Sequence, residues 1–118
     1  VAGEPQADCL FCKIAAGEVP ATIVRETETT VAFRDINPQA PTHILVIPKV
    51  HYANALELSA AEPAIAGDVL HQAGLLAAEE KVDETGYRIV FNTGPGAGQT
   101  VFHAHAHLLG GRDLQRLV

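Results

Sequence analysis

A chain of 118 residues, 47% of them apolar and with neither Trp nor Met, has room for one compact domain and enough aliphatic side chains to fill its core. Fourteen acidic against eight basic side chains give a net charge of -6, with the cations scattered from Lys13 to Arg116, which excludes nucleic acid held on a basic surface. No apolar stretch approaches the ~20 residues that span a bilayer, and the amino terminus has no basic segment followed by an apolar one, so the chain reads as soluble and cytoplasmic, with no membrane partner.

In chain order, residues 1–7 read as a flexible segment and residues 8–118 as a single domain. "DCLFCKIAAGEVP" predicts a short helix with Asp8 as its N-cap, Leu10, Phe11 and Ile14 on overlapping faces, and Gly17 and Pro20 as stop signals. "ATIVRE" and "TTVAFRD" are β-branched runs on either side of a Glu26-Thr27-Glu28 turn, which predicts a hairpin. "THILVIP", closed by Pro48, predicts a third strand. Between the second and third, the two prolines and Asn37 of "DINPQAP" impose an ordered turn.

From Ser59 to Val82, the residues Ile65, Val69, Ala73, Leu76 and Ala77 recur at steps of three and four, the mark of one buried helical face. Two starts compete for this main helix. Ser59 with Glu62 fits a capping box, whereas Pro63 at the first helical position moves the start to Glu62. After Gly86, "YRIVFN" predicts a fourth strand, "TGPGAGQT" a glycine-rich loop and "VFHAHAHLL" a fifth strand. The sum is an α+β domain: an antiparallel sheet of about five strands with one long and one short helix.

Three of the six histidines, His103, His105 and His107, alternate with Ala104 and Ala106. In a strand they form a row on one face, while Phe102, the alanines and Leu108 face the other way and let the long helix pack closely behind. At ~3.3 Å per residue, successive imidazoles stand roughly 6 to 7 Å apart, so two neighbours can share a metal but all three cannot without a sharp bend. The row therefore divides its labour. A neutral imidazole is a competent nucleophile toward phosphorus near pH 7, and His105 has a partner on each side to orient it or to protonate a leaving group.

The preceding loop supplies Asn92, the N–H groups around Gly96 and Gly98, Gln99 and the Thr100 hydroxyl, neutral donors suited to phosphate oxygens, although such a loop is also an ordinary hairpin connection. Cys9 and Cys12 form a Cys-x-x-Cys pair. It is half of a tetrahedral metal site, and is compatible as well with a redox pair or two buried thiols.

These residues resemble the histidine triad (HIT) hydrolases. "HAHAHLL" matches the signature His-x-His-x-His, and "FCKIAAGEVPA", "AFRDINPQAPTHILVIPKVH" and "GYRIVFNTGPGAGQTVFHAHAHLLGGRD" look like the Hint branch over roughly residues 8 to 113. The resemblance implies a HIT-like fold and hydrolysis of purine nucleoside phosphoramidates or related adenylyl conjugates. It makes His105 the nucleophile at the α-phosphorus, has His107 contact phosphate oxygens and assist the leaving group, and gives His43 and His103 supporting places.

By the same resemblance, Asn92, Gly98, Gln99 and Thr100 lie along the phosphate and leaving group, Asp35 accepts from the ribose hydroxyls beside Ile36, and Leu10, Phe11, Ile14, Val19 and Phe33 line the base pocket. Phe11, Ile14 and Phe33 serve equally well as plain core, and Asp35 as a cap of the Asn37-Pro38 turn. A structural zinc on Cys9, Cys12, His51 and His103, no catalytic cofactor, and a homodimer with a ten-stranded sheet complete what the likeness implies. The tail "RDLQRLV" lacks the aromatic ending common in that branch. Two rival readings stand beside it: a nucleotide-binding regulatory protein with little catalytic activity, and a zinc-dependent hydrolase with its metal at the triad.

Overall fold

All seven residues of "THILVIP" are buried, and a strand covered on both faces belongs in the middle of a sheet. In the computed structural model, which describes residues 3–117, this run is β3 (Thr42–Pro48), the centre of one antiparallel sheet. Residues 1, 2 and 118, the ends of the expected 1–7 segment and 8–118 domain, lie outside the described residues.

The other strands are β1 (Ile23–Glu26), β2 (Thr30–Arg34), β4 (Tyr87–Val90) and β5 (Ala106–Gly110), in the order β1-β2-β3-β5-β4. Three helices, α1 (Leu10–Ala15), α2 (Ala55–Ala61) and α3 (Pro63–Glu79), complete the α+β fold. Among the described residues no helix is long and apolar enough to cross a membrane.

Register assigns the faces. Phe33, Leu45 and His107 are successive partners across β2, β3 and β5, whereas Ala32, Val46 and Ala106 are partners one step along, on the opposite face. That second face is covered by α3. Ala32, Ile44, Val46, Ala106 and Leu108 cluster with Val69, Ala73, Leu76 and Ala77, four of the five positions picked out by the helical period; Ile65 packs at the margin. Ala104 and Ala106 are 1% and 0% exposed, so the small residues between the histidines do allow close packing behind them. The first face is covered by α1, whose Phe11, Cys12 and Ile14 meet Val31, Phe33, Leu45 and Ile47.

Three local expectations are corrected, and one open choice is decided. The N-cap of α1 is Cys9 instead of Asp8: its sulfur accepts from Cys12 N–H at 3.3 Å. The main helix starts at Pro63, the second of the two starts, because the residue before a proline is pushed out of the helical region and Glu62 sits at φ -136, ψ 69. Upstream of this break the chain forms a separate helix, α2, capped by Asn54, and the Ser59 hydroxyl turns back to the Leu56 carbonyl.

The fourth strand stops at Val90, short of Phe91 and Asn92. Finally, β5 begins at Ala106, so His103 and His105 precede it and Phe102 is half exposed. The reason is local: Ala104 N–H is drawn to the Tyr52 carbonyl at 2.7 Å, and the His103 carbonyl is taken by the His105 ring, so neither is free for a sheet ladder.

Leu108 is fully buried beneath α3 on the central strands. Leu108→Ala is expected to cost about 2–5 kcal/mol, the usual range for a buried leucine, read as a lower urea midpoint with unchanged slope. A loss below about 1 kcal/mol would mean that the site collapses around the cavity.

Candidate active site

Because the chain before β5 is hooked out of the sheet, the three histidines do not stand in a flat row. Each ring takes a different partner. His105 is 8% exposed, and its Nδ1 lies 2.8 Å from the His103 carbonyl, which can only accept. Nδ1 therefore carries the proton and the lone pair is on Nε2. Phe11 stands edge-on to the ring, with centroids 5.0 Å apart. Burial lowers the pKa of His105, partly offset by the bond to the His103 carbonyl, so the ring is neutral near pH 7.

His107 and His43 are diagonal neighbours on β5 and β3, since His107 pairs with Leu45 and His43 with Leu109. Their rings meet at 3.0 Å, His43 Nε2 to His107 Nδ1. The donor is settled from behind: the Gln39 backbone N–H donates to His43 Nδ1 at 3.0 Å, which leaves the His43 proton on Nε2. His43 Nε2–H then donates to His107 Nδ1, and the His107 proton sits on its far nitrogen, Nε2.

Asp35 Oδ2 lies 3.4 Å from His43 Nε2, while its Oδ1 accepts from Asn37 N–H at 2.8 Å. Asp35 thus caps its turn with one oxygen and faces the histidine pair with the other. Burial lowers the pKa of His43 and takes His107 down to about 4.

On the inner side of α1, Cys9, Cys12, His51 and His103 converge. Cys9 Sγ is 3.4 Å and Cys12 Sγ 3.5 Å from His103 Nδ1; Cys12 Sγ is 3.3 Å from His51 Nδ1, and the two Nδ1 atoms are 3.1 Å apart. A tetrahedral zinc ion with bonds of about 2.3 Å to sulfur and about 2.05 Å to nitrogen separates S and N by roughly 3.6 Å and N and N by roughly 3.3 Å. The four atoms fit.

The donors behind them fit as well. His103 Nε2 lies 2.8 Å from the Pro48 carbonyl and so carries the proton, leaving Nδ1 as a lone pair aimed into the cluster. Each sulfur accepts a backbone N–H, Cys9 from Cys12 and Cys12 from Gln6, as thiolate ligands do. Gly3 pairs with the His51 backbone and brings the N-terminal segment over the centre. Burial pushes the Cys12 thiol up to about 11, a cost that a central cation reverses.

Asp35, His43 and His107 also bring three ligand atoms within 4.8 Å of one another. They do not fit a metal. With Gln39 N–H on Nδ1, a metal on His43 Nε2 would require an imidazole stripped of both protons, so this cluster suits a chain of hydrogen bonds and not a cation.

The remaining expected residues divide. Phe11, Ile14 and Phe33 are buried, Val19 packs at the edge of the same cluster, and Phe11 meets Phe33 edge-on with centroids 5.5 Å apart. Leu10, the first residue of α1, and Ile36, next to Asp35, are 45% and 91% exposed. In the glycine loop, Gly98 N–H is spent on the Pro95 carbonyl, and both ends of the Gln99 amide are occupied, Oε1 by Gly94 N–H and Nε2 by the Ala53 and Val101 carbonyls. Gln99 is a clamp on the loop. The Asn92 and Thr100 side chains enter no hydrogen bond among the described residues. The main-chain groups of Gln39, Pro48 and Tyr52 were invisible to reasoning from residue types, since a backbone atom has no signature in the sequence.

A HIT domain family model matches residues 16–114. A purine nucleoside phosphoramidase of Escherichia coli K12 is 43% identical over 91% of this chain and 90% of its own length. A 14 kDa zinc-binding protein of Zea mays is 49% identical over 89% and 83%. Among solved structures, a HIT family hydrolase from Clostridium thermocellum superposes with a TM-score of 0.91 at 45% identity, covering 96% of this chain and 98% of that one.

The buried histidines make stability depend on pH. An unfolded histidine titrates near 6.5; in the fold His103 and His107 are pushed down to about 4, and His43 and His105 are also lowered. Protonation therefore favours the unfolded chain, and stability that is complete above pH ~6.5 is lost as pH falls toward 4. The urea midpoint should decline steadily from pH 7 to 4.5, less steeply in His107→Gln. A flat midpoint over that window would contradict the burial of neutral rings.

Proposed function

The chain belongs to the HIT domain family and is a hydrolase by that membership, and we propose that it cleaves the P–N bond of purine nucleoside phosphoramidates and related adenylyl conjugates through a covalent nucleotidyl-His105 intermediate. The observation that carries this reading is the His105 tautomer: Nδ1–H is held by the His103 carbonyl, and the opposite nitrogen is left as a lone pair on a neutral, buried ring. The named activity of the bacterial relative supports the substrate class.

In the first step, His105 Nε2 attacks the α-phosphorus, the P–N bond breaks, and the leaving amine takes up a proton from solvent water. The imidazole becomes cationic as the N–P bond forms. Its Nδ1–H bond to the His103 carbonyl strengthens at that moment, a stabilisation greater in the transition state than in the free enzyme. His107 Nε2–H donates to a phosphoryl oxygen, while His43 Nε2–H, beside Asp35, donates to His107 Nδ1 and keeps the His107 proton on the substrate side. Water then attacks the phosphorus, the Nε2–P bond breaks, the water's proton passes to solvent, and the nucleoside monophosphate is released with His105 neutral again.

On this reading Asn92 and Thr100 supply free donors to the phosphate and leaving group, and the Gln99 clamp shapes the loop that carries Gly98. Asp35 receives the ribose hydroxyls beside Ile36. The purine lies against Leu10, Phe11, Ile14, Val19 and Phe33.

Cys9, Cys12, His51 and His103 would hold a structural zinc, which supplies charge compensation for two thiolates and takes no part in the chemistry. Cysteines kept reduced as ligands suit the cytoplasm. The edge strand β4, with Tyr87 41% exposed, and the exposed Leu70 and Leu75 of α3 suit a homodimer whose two sheets join into ten strands.

Wild-type protein should turn over adenosine 5′-phosphoramidate, and His105→Ala should lower kcat by about 1,000-fold or more; an alkaline quench, which preserves the acid-labile phosphorus–imidazole bond, should place AMP on residue 105. Unchanged turnover in the variant would remove the nucleophile assignment, and tight AMP binding with no hydrolysis would favour the regulatory reading.

The metal is checked separately. The purified protein is expected to carry about one zinc per chain, and Cys12→Ser to carry almost none and melt at least about 5 °C lower. Full zinc content in that variant would refute the ligand set.

A further inference from the structure

The residues that follow the triad, "GGRD", have no place in the chemistry above, yet they are tightly constrained. A Cβ on Gly110 would stand 3.0 Å from the Val82 Cβ. Gly111 has φ +92, and a Cβ there would stand 2.9 Å from the Pro41 side chain. The chain leaves β5 through a passage that only glycine fits, and this turns the tail across the 36–41 loop. The next residue, Arg112, lands on Gln39: Nε and Nη2 both donate to the Gln39 carbonyl, at 3.1 and 2.9 Å, and Nη1 donates to the Asp113 carbonyl at 2.9 Å. Arg112 makes no ion pair among the described residues. Its guanidinium is spent on main-chain carbonyls.

Gln39 is the residue whose N–H donates to His43 Nδ1. Its own side chain turns away, to the Asn37 carbonyl, so the contact with His43 is made by backbone alone and depends on how residue 39 is held. A continuous series of hydrogen bonds results: Arg112 on the Gln39 carbonyl, Gln39 N–H on His43 Nδ1, His43 Nε2–H on His107 Nδ1. Without the Gln39 N–H, only the 3.4 Å contact with Asp35 Oδ2 favours the proton of neutral His43 on Nε2, and a share of the rings can carry it on Nδ1 instead. His43 Nε2 would then become an acceptor, His107 would have to supply the proton between them, and the His107 nitrogen turned toward the substrate would lose its hydrogen.

We propose that Arg112 is a positioning residue for the active site: by gripping the Gln39 main chain it keeps His43 and His107 in the tautomers that present a His107 Nε2–H to the phosphoryl group. The effect on turnover rests on the phosphoramidate reading, whereas the tautomers are a property of the free protein and can be read without substrate.

The test is a long-range proton-nitrogen correlation spectrum of the histidine rings in the ligand-free protein, with kcat and KM for adenosine 5′-phosphoramidate measured on the same samples. In wild type, His43 and His107 should each appear as a single Nε2–H tautomer. In Arg112→Ala both should become mixtures, and kcat should fall about tenfold with KM within about twofold, since only the competent fraction of a bound complex is reduced. Arg112→Lys, which keeps one donor for the Gln39 carbonyl, should recover most of both signals, and serves also if the alanine variant fails to fold.

Single wild-type tautomers in Arg112→Ala would overturn the inference whatever its activity, as would a wild-type His43 protonated on Nδ1. Absence of turnover in wild type would sink the phosphoramidate reading and leave the tautomer result to decide this one.

Discussion

The candidate site depends on one hydrogen bond, the 2.8 Å contact in which the His105 ring donates to the carbonyl of the residue two before it. That bond decides which nitrogen of His105 keeps its lone pair, and its geometry in turn depends on residue 103. His103 is completely buried, with its side chain fixed at both ends: Nε2 on the Pro48 carbonyl, and Nδ1 among Cys9, Cys12 and His51. One residue therefore faces two tasks, its ring turned into the cysteine cluster and its carbonyl turned toward the His105 ring. Anything that pins the ring also pins the carbonyl. A metal held there, as proposed, would act on His105 through rigidity alone, across a peptide unit.

Burial supplies the second constraint. Four histidines inside a small domain are kept neutral chiefly by desolvation, and neutral imidazoles are useful only when each has a defined tautomer, because a donor and an acceptor are then interchanged by moving one proton. In three of the four rings the choice is made by a group whose role cannot change. Carbonyl oxygens accept from His103 and His105, and an amide N–H donates to His43. His107 inherits its tautomer from His43. The sheet brings the last two rings together because diagonal positions on adjacent antiparallel strands lie within reach of long side chains.

Much of this was legible in the sequence. The periodic face of α3, the buried run of β3, the hairpin and the glycine loop each follow from a local pattern strong enough to survive tertiary packing, and so does the convergence of Cys9 and Cys12 at the start of α1. The alternation of histidines and alanines identified the two faces correctly around His107, where the chain is a true strand. It failed one turn earlier. There the chain is shaped by bonds to Tyr52 and to a histidine ring, and neither is encoded in the alternation. The break that separates α2 from α3 was half visible, as a proline competing with a capping box. Proline prevailed because its effect on the preceding residue is steric and cannot be bargained away by a serine hydroxyl worth about 1 kcal/mol.

What sequence reasoning could not reach is a class of contact, not a set of residues. Side chains advertise their chemistry by type, but the partners that assign the protons here are the backbone groups of Gln39, Pro48 and His103, and any residue at those positions would carry the same N–H or C=O, proline's missing N–H apart. Their usefulness comes from being held in place. Around Gln39 this is done by two glycines and an arginine seventy residues further along, which reads in the sequence as an unremarkable tail. An enzyme site of this kind is conserved in its physics by packing at a distance from the chemistry: the glycines matter because of what a Cβ would strike, and the arginine because of the carbonyl it finds.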